Sequence, residues 1–103
     1  MKDRIRAVLF DLDGTVYEHG VVYPGSAAAI RALRDRGISV GFVTNTTSRS
    51  RRLLTERLRA MDIPAEPEQI LTALRAGAGH LKEKGFTRVA PLVPELARED
   101  LEE

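Results

Sequence analysis

The 103-residue chain contains no cysteine. That excludes a disulfide scaffold and any thiolate metal site, while leaving the redox compartment open. Long apolar runs are also missing. The most continuous one, Ile5 to Phe10, spans about six residues before it meets Asp11, too short for a signal-peptide core or a membrane-spanning helix. A cytoplasmic protein without a membrane partner is expected on that basis. Neither sign of charge dominates: 16 Lys and Arg stand against 15 Asp and Glu, a net charge of +1, so no global field draws the chain to nucleic acid or to a lipid surface. There is no internal repeat, low-complexity segment or linker. Three ligand-binding motifs are absent too. No P-loop occurs. Gly77-Ala78-Gly79 is not a dinucleotide fingerprint, because Lys82 holds the third glycine position. The aspartates near residue 11 do not form a calcium loop, because Val16 stands where its glycine belongs.

What remains has the balance of a small soluble domain, 43% hydrophobic and 30% charged. At this length only about 60–68% of the unfolded surface can be buried. Ile5–Phe10 reads as a strand covered on both faces. Leu12 to Tyr23 is a turn and an extended excursion with Gly20 at a hairpin tip. Pro24 suits the first turn of a helix reaching Arg36, with Ala29, Ile30 and Leu33 inward and Arg31, Arg34 and Asp35 outward; Gly37 stops it. Ser39–Val43 is a second strand. A strand–helix–strand unit of this spacing predicts parallel neighbours joined by a right-handed crossover. Ser48 or Ser50 caps a second helix to about Met61, with Leu53, Leu54, Leu58 and Met61 on one face and Arg49, Arg51, Arg52, Arg57 and Arg59 on a solvated one. Ala73–Lys84 reads as a third helix, ended by Gly85. Arg88–Val93 reads as a strand, edge or irregular because of Pro91, and Pro94 opens an acidic helical stretch to Glu103.

The chemistry gathers at the end of the first strand. A buried strand has no use for charge, so Asp11 and Asp13 mark where the chain leaves the sheet, the end at which open α/β sheets bind ligands. Two residues apart in extended chain, they project to the same side. Carboxylates held close repel unless a cation lies between them or one is protonated. Gly14 permits a sharp turn that presents N–H groups to an anion. Thr44-Asn45 would end the neighbouring strand beside Asp11. The plainer alternatives are loop-capping aspartates and a polar loop start.

Asp11-Leu12-Asp13-Gly14-Thr15 resembles the first motif of the haloacid dehalogenase superfamily of phosphohydrolases, and Phe42-Val43-Thr44-Asn45 resembles the second. Tyr17-Glu18-His19-Gly20, Pro24-Gly25, Pro67 to Ala73 and His80-Leu81 match the subclass that includes NagD. The resemblance runs from about Ile5 to Val93. It implies a Rossmann-like α/β fold: a parallel sheet with flanking helices, to which Gln69–Thr72 adds a third strand. Residues 1–85 would form the amino-terminal part of the hydrolase core and 86–103 the start of an α/β cap. The implied activity is hydrolysis of a small phosphorylated metabolite. Asp11 would be the nucleophile that forms an aspartyl phosphate. Asp13 would be the general acid/base, or else only a second metal ligand. Asp11 and Asp13 would bind Mg²⁺; Leu12, Gly14, Thr44 and Asn45 would bind phosphate. His19 could touch substrate or lie on the surface, and His80 fits a solvated or packing role. The family's later motifs, a lysine and further aspartates, are not found here; Lys82 and Lys84 lie outside that context. The non-enzymatic alternative is a fold fragment that binds Mg²⁺ or phosphate weakly, or associates with a second chain through an open sheet edge at Ile5–Phe10.

Overall fold

The computed structural model describes residues 4–101; the predicted helix end at Glu103 falls outside them. Three parallel strands form the main sheet: β1 (Ala7–Asp11), β4 (Ser39–Thr44) and β5 (Ile70–Thr72), in the order β1-β4-β5. Ala7 pairs with Ser39 and Asp11 with Val43; Phe42 pairs with Ile70 and Thr44 with Thr72. All three strands therefore end at the same edge. Between β1 and β4 come the two-residue strands β2 (Tyr17–Glu18) and β3 (Val21–Val22), an antiparallel hairpin, then helix α1 (Ser26–Asp35). His19 (φ 51°) and Gly20 (φ 79°) make its tip. Positive φ at both loop residues is what a tight hairpin of this hand requires, so His19 has a turn role. Helix α2 (Arg51–Ala60) joins β4 to β5, and α3 (Ala73–Glu83) follows β5.

Helix α1 differs from expectation, whereas α2 and α3 start where expected. Gly25 is the N-cap of α1, so Pro24 precedes the helix and does not occupy its first turn. Ile30 is buried and Leu33 half-buried, but Ala29 is exposed. Arg34, expected outward, is half-buried and donates to the Pro64 carbonyl (2.8 Å) and to Gln69 Oε1 (3.2 Å). Ser50 caps α2, its hydroxyl accepting from Leu53 N–H. Thr72 caps α3 in the same way through Arg75 N–H (3.0 Å).

The sheet alternates. Phe10, Val40, Phe42 and Ile70 turn to the side that also packs Ile30, Leu54, Leu58 and Ile63, with half-buried Val8 in line with Phe10 along β1; the rings of Phe10 and Phe42 lie 6.2 Å apart. Ala7, Leu9, Val43 and Leu71 turn to the other side and are exposed. The expected cover on both faces is thus found on one: a parallel sheet is normally buried on both, and here its second face is open. Among the described residues β1 pairs with β4 alone and is an edge strand.

Arg88–Val93 forms no strand. Pro91 lacks an N–H to donate to a ladder, and the segment runs irregularly to the expected acidic helical stretch, a 3-10 helix over Glu95–Leu101. That segment is docked firmly. Asp100 is 1% exposed; its carboxylate accepts from Arg51 N–H (3.0 and 3.2 Å) and lies 3.5 Å from Arg51 Nε. Ser50 N–H donates to the Leu96 carbonyl, the Ser50 hydroxyl to Glu99, and Arg52 Nε to Glu99 (3.1 Å). The arginines of α2 are therefore not a simple solvated face: Arg51 and Arg52 hold the C-terminal segment, and Arg59 binds the Ala65 carbonyl and Glu66. No helix among the described residues is long and apolar enough to cross a membrane.

Candidate active site at the strand ends

Asp11 is the last residue of β1, and its register partner, Val43, precedes Thr44 at the end of β4. The parallel pairing thus brings the Asp11–Thr15 turn and Thr44-Asn45 to one edge of the sheet. Asp11 and Asp13 are both exposed, and they flank Leu12, which is fully buried. Leu12 anchors the turn by burial and by its carbonyl, which accepts from Thr15, Val16 and Tyr17 N–H at 2.9–3.3 Å. Gly14 has φ 81°, a conformation that strains any residue with a Cβ. Its N–H donates to the Tyr17 carbonyl at 2.8 Å, so the turn uses this amide internally.

Thr44 is only 4% exposed, and by alternation it belongs with Phe42 on the covered side, whereas Asp11 belongs with Leu9 and Val43 on the open side. The Thr44 hydroxyl accepts from Thr46 N–H at 3.2 Å; as a hydroxyl it still has a proton to donate. Asn45 is exposed. A concavity of about 830 Å³ lies on the open sheet face against Leu9, Gly41, Val43 and Leu71, and Asp11, Asp13 and Thr44 do not line it. The chemistry sits at the rim of the sheet. The concavity marks uncovered apolar surface.

The donor set at this rim is two carboxylates open to water. That suits a hard cation that keeps several waters, as Mg²⁺ does. Among the described residues no group of three or more His, Cys, Asp or Glu could cage a metal ion. His80 is exposed on α3.

Two residues near the turn escape a sequence reading. Tyr17 is 1% exposed and part of the core cluster. Arg57, assigned by spacing to a solvated face, lies over the Tyr17 ring at 5.7 Å from its centroid. Burial, and next the negative charge of Asp13, push the Tyr17 hydroxyl pKa up; Arg57 and Arg49 oppose this. No local signal joins residues so far apart in sequence.

Known proteins resemble this chain in sequence and in fold. The family model described as haloacid dehalogenase-like hydrolase matches residues 8–103. Haloacid dehalogenase-like hydrolase domain-containing protein 2 of Rattus norvegicus is 41% identical over 96 residues, covering 93% of this chain and 37% of that protein. The 5'-nucleotidase YutF of Bacillus subtilis is 37% identical over 79 residues, covering 77% of this chain and 31% of its own length. The solved p-nitrophenyl phosphatase from Archaeoglobus fulgidus superposes with a TM-score of 0.86 at 29% identity, covering 97% of this chain and 39% of that one. The chain thus spans between 31% and 39% of these relatives. With two carboxylates on one strand end, a Thr-Asn pair on the next and a family match across nearly its whole length, the chain belongs to the haloacid dehalogenase-like hydrolases.

Proposed function

We propose that this chain carries the nucleophile half of a Mg²⁺-dependent phosphate-monoester hydrolase. The observation that carries the reading is the pair Asp11 and Asp13, exposed on either side of buried Leu12, at the sheet edge where Thr44-Asn45 also emerges. The 5'-nucleotidase and the p-nitrophenyl phosphatase among its relatives support a phosphate ester of a small molecule as substrate.

In the proposed reaction an Asp11 carboxylate oxygen attacks phosphorus, and the bond from phosphorus to the ester oxygen breaks. Asp13 gives its proton to the departing alkoxide. Asp13 then takes a proton from water, whose oxygen attacks the aspartyl phosphate and releases inorganic phosphate, restoring Asp11. The Thr44 hydroxyl and the Asn45 amide donate to phosphoryl oxygens and stabilise the charge that develops on them. Gly14 contributes the turn, since its own N–H is held by Tyr17. The Asp11 carboxylate and the Asp13 carbonyl would hold Mg²⁺, which supplies charge neutralisation at the phosphoryl group.

The lysine and further aspartates implied by the family resemblance are not among these residues. Losing one preorganised charge-stabilising group costs roughly 10²–10³ in rate, so turnover by the 103 residues alone is expected to be negligible. The test is therefore binding of a phosphoryl mimic. With Mg²⁺ and beryllofluoride, ¹⁹F NMR should show a bound species that vanishes in Asp11→Asn; absence of an Asp11-dependent species overturns the reading. A separate observation, the open sheet face and the unpaired β1 edge, favours a second role as an association module.

A further inference from the structure

The Asp13 turn is exposed, and the hairpin that follows it has only two residue pairs. Buried Leu12 anchors the turn from within, and Tyr17 holds it from the hairpin side. Tyr17 is fastened to that turn at two points: its N–H reaches the Leu12 carbonyl (3.3 Å) and its carbonyl accepts from Gly14 N–H (2.8 Å), the pair of bonds that bridges it to Asp13. The Tyr17 ring is buried. Over its face stands Arg57, from the middle of α2. Unlike Arg51, Arg52 and Arg59, Arg57 forms no ion pair with a carboxylate among the described residues. Its partner is Tyr17, at the ring and at the hydroxyl, and a cation against a buried ring is attracted more strongly than one against a ring in water.

We propose that Arg57 is a positioning residue for Asp13. The guanidinium pins the Tyr17 ring against α2; Tyr17 carries that constraint through its main chain to Gly14 and Asp13. The helix that starts just after the Thr44-Asn45 loop thus also sets the Asp13 turn, tying together the two strand ends where the site is proposed. The inference rests on the reading of Asp13 as acid/base and metal-side residue.

The test is amide hydrogen exchange by NMR on the full chain, with Mg²⁺ titration beside it. Loss of a cation–π contact of about 1 kcal/mol corresponds to roughly five-fold faster opening. In Arg57→Leu, Gly14 and Val16 amides should exchange about five-fold faster while Phe42 and Ile70 amides keep their rates. Arg57→Lys, which retains the cation, should restore most of the protection. Mg²⁺ binding in Arg57→Leu should weaken by up to about ten-fold, the lower range for lost support around a metal ligand. Charge alone works the other way, because removing a nearby cation tightens Mg²⁺ binding, so weaker binding reports lost geometry. Unchanged Gly14 exchange, equal acceleration at all amides, no rescue by lysine, or tighter Mg²⁺ binding would each overturn the proposal. An Asp11-independent beryllofluoride signal would sink the hydrolase reading and leave the exchange result standing.

Discussion

Self-association through the open sheet face is expected of this chain, and replacing Leu9 with lysine is expected to abolish it. Leu9 is 72% exposed on the open sheet face, with Leu71 at 50%, Val43 at 37% and Ile5 at 71% nearby in the sheet or just before it. Complete burial of an aliphatic side chain contributes about 1.5–3 kcal/mol, so covering these four at their present exposures recovers roughly 4–5 kcal/mol per chain. A symmetric pair gains this twice, and the unpaired edge of β1 adds main-chain hydrogen bonds. Association costs about 4–15 kcal/mol in lost freedom, so the apolar gain exceeds only the lower half of that cost, and the main-chain bonds at the β1 edge decide whether the pair forms at high protein concentration. Leu9 accounts for about 1.5 kcal/mol per chain in that sum, and lysine would also place a charge inside the contact. The variant should therefore dimerise at least about 100-fold more weakly. Sedimentation velocity across a concentration series is the assay. A wild-type chain that is monomeric and cooperatively folded throughout would refute the reasoning, and so would a lysine variant that associates equally well.

Gly41→Ala places a Cβ 2.8 Å from Leu9 Cδ2; Leu9 is exposed and can turn away, and alanine is favoured over glycine within a strand by about 0.5–1 kcal/mol, so urea denaturation should show stability unchanged or slightly raised. Asp100→Ala removes the buried acceptor of Arg51 N–H and the partner of Thr72 Oγ1 (3.4 Å); a loss of about 3 kcal/mol is expected on the same assay, and a change under about 1 kcal/mol would mean that the C-terminal segment is not docked as described. The hydrogen bond from Ser50, followed by Arg52, holds the Glu99 carboxyl below its ordinary value. Because the folded value is the depressed one, this contribution is present above the unfolded glutamate pKa of about 4.3 and is lost as pH falls through the folded value. A ¹³C titration should find Glu99 below the other glutamates, with Glu99→Gln removing that pH dependence; an ordinary Glu99 titration contradicts the contact.

The strand–helix alternation was legible because it is written in local patterns: the apolar blocks ending at Phe10 and Val43, the capping Ser50, the stop at Gly37. The carboxylates at the end of β1 were legible for the same reason, since charge next to an apolar run has few places to go. What could not be read is pairwise and distant. Five arginines around α2 share one composition, yet Arg52 meets Glu56 one turn away, a pairing visible in the spacing, whereas Arg51 meets Asp100 and Arg57 meets Tyr17. Nothing local distinguishes them. Arg88–Val93 misleads for a related reason: its apolar residues suit a strand, but a strand needs a neighbour, and no edge accepts this one among the described residues. Gly14 was read correctly as a turn residue; its amide went to Tyr17, a choice set by the hairpin beyond it.

The docking of the C-terminal segment bears on the stretch from Thr44 to Ser50. At one end that stretch is anchored in the sheet. At the other, Ser50 and Arg51 are gripped by Leu96, Glu99 and Asp100. It is strung like a short cable between two posts, and one post belongs to the last residues described. Any shift of residues 95–101 changes the tension on the span that carries Thr44 and Asn45. Residues 95–101 therefore have mechanical leverage, through Ser50, over the span that carries the proposed phosphate-binding pair.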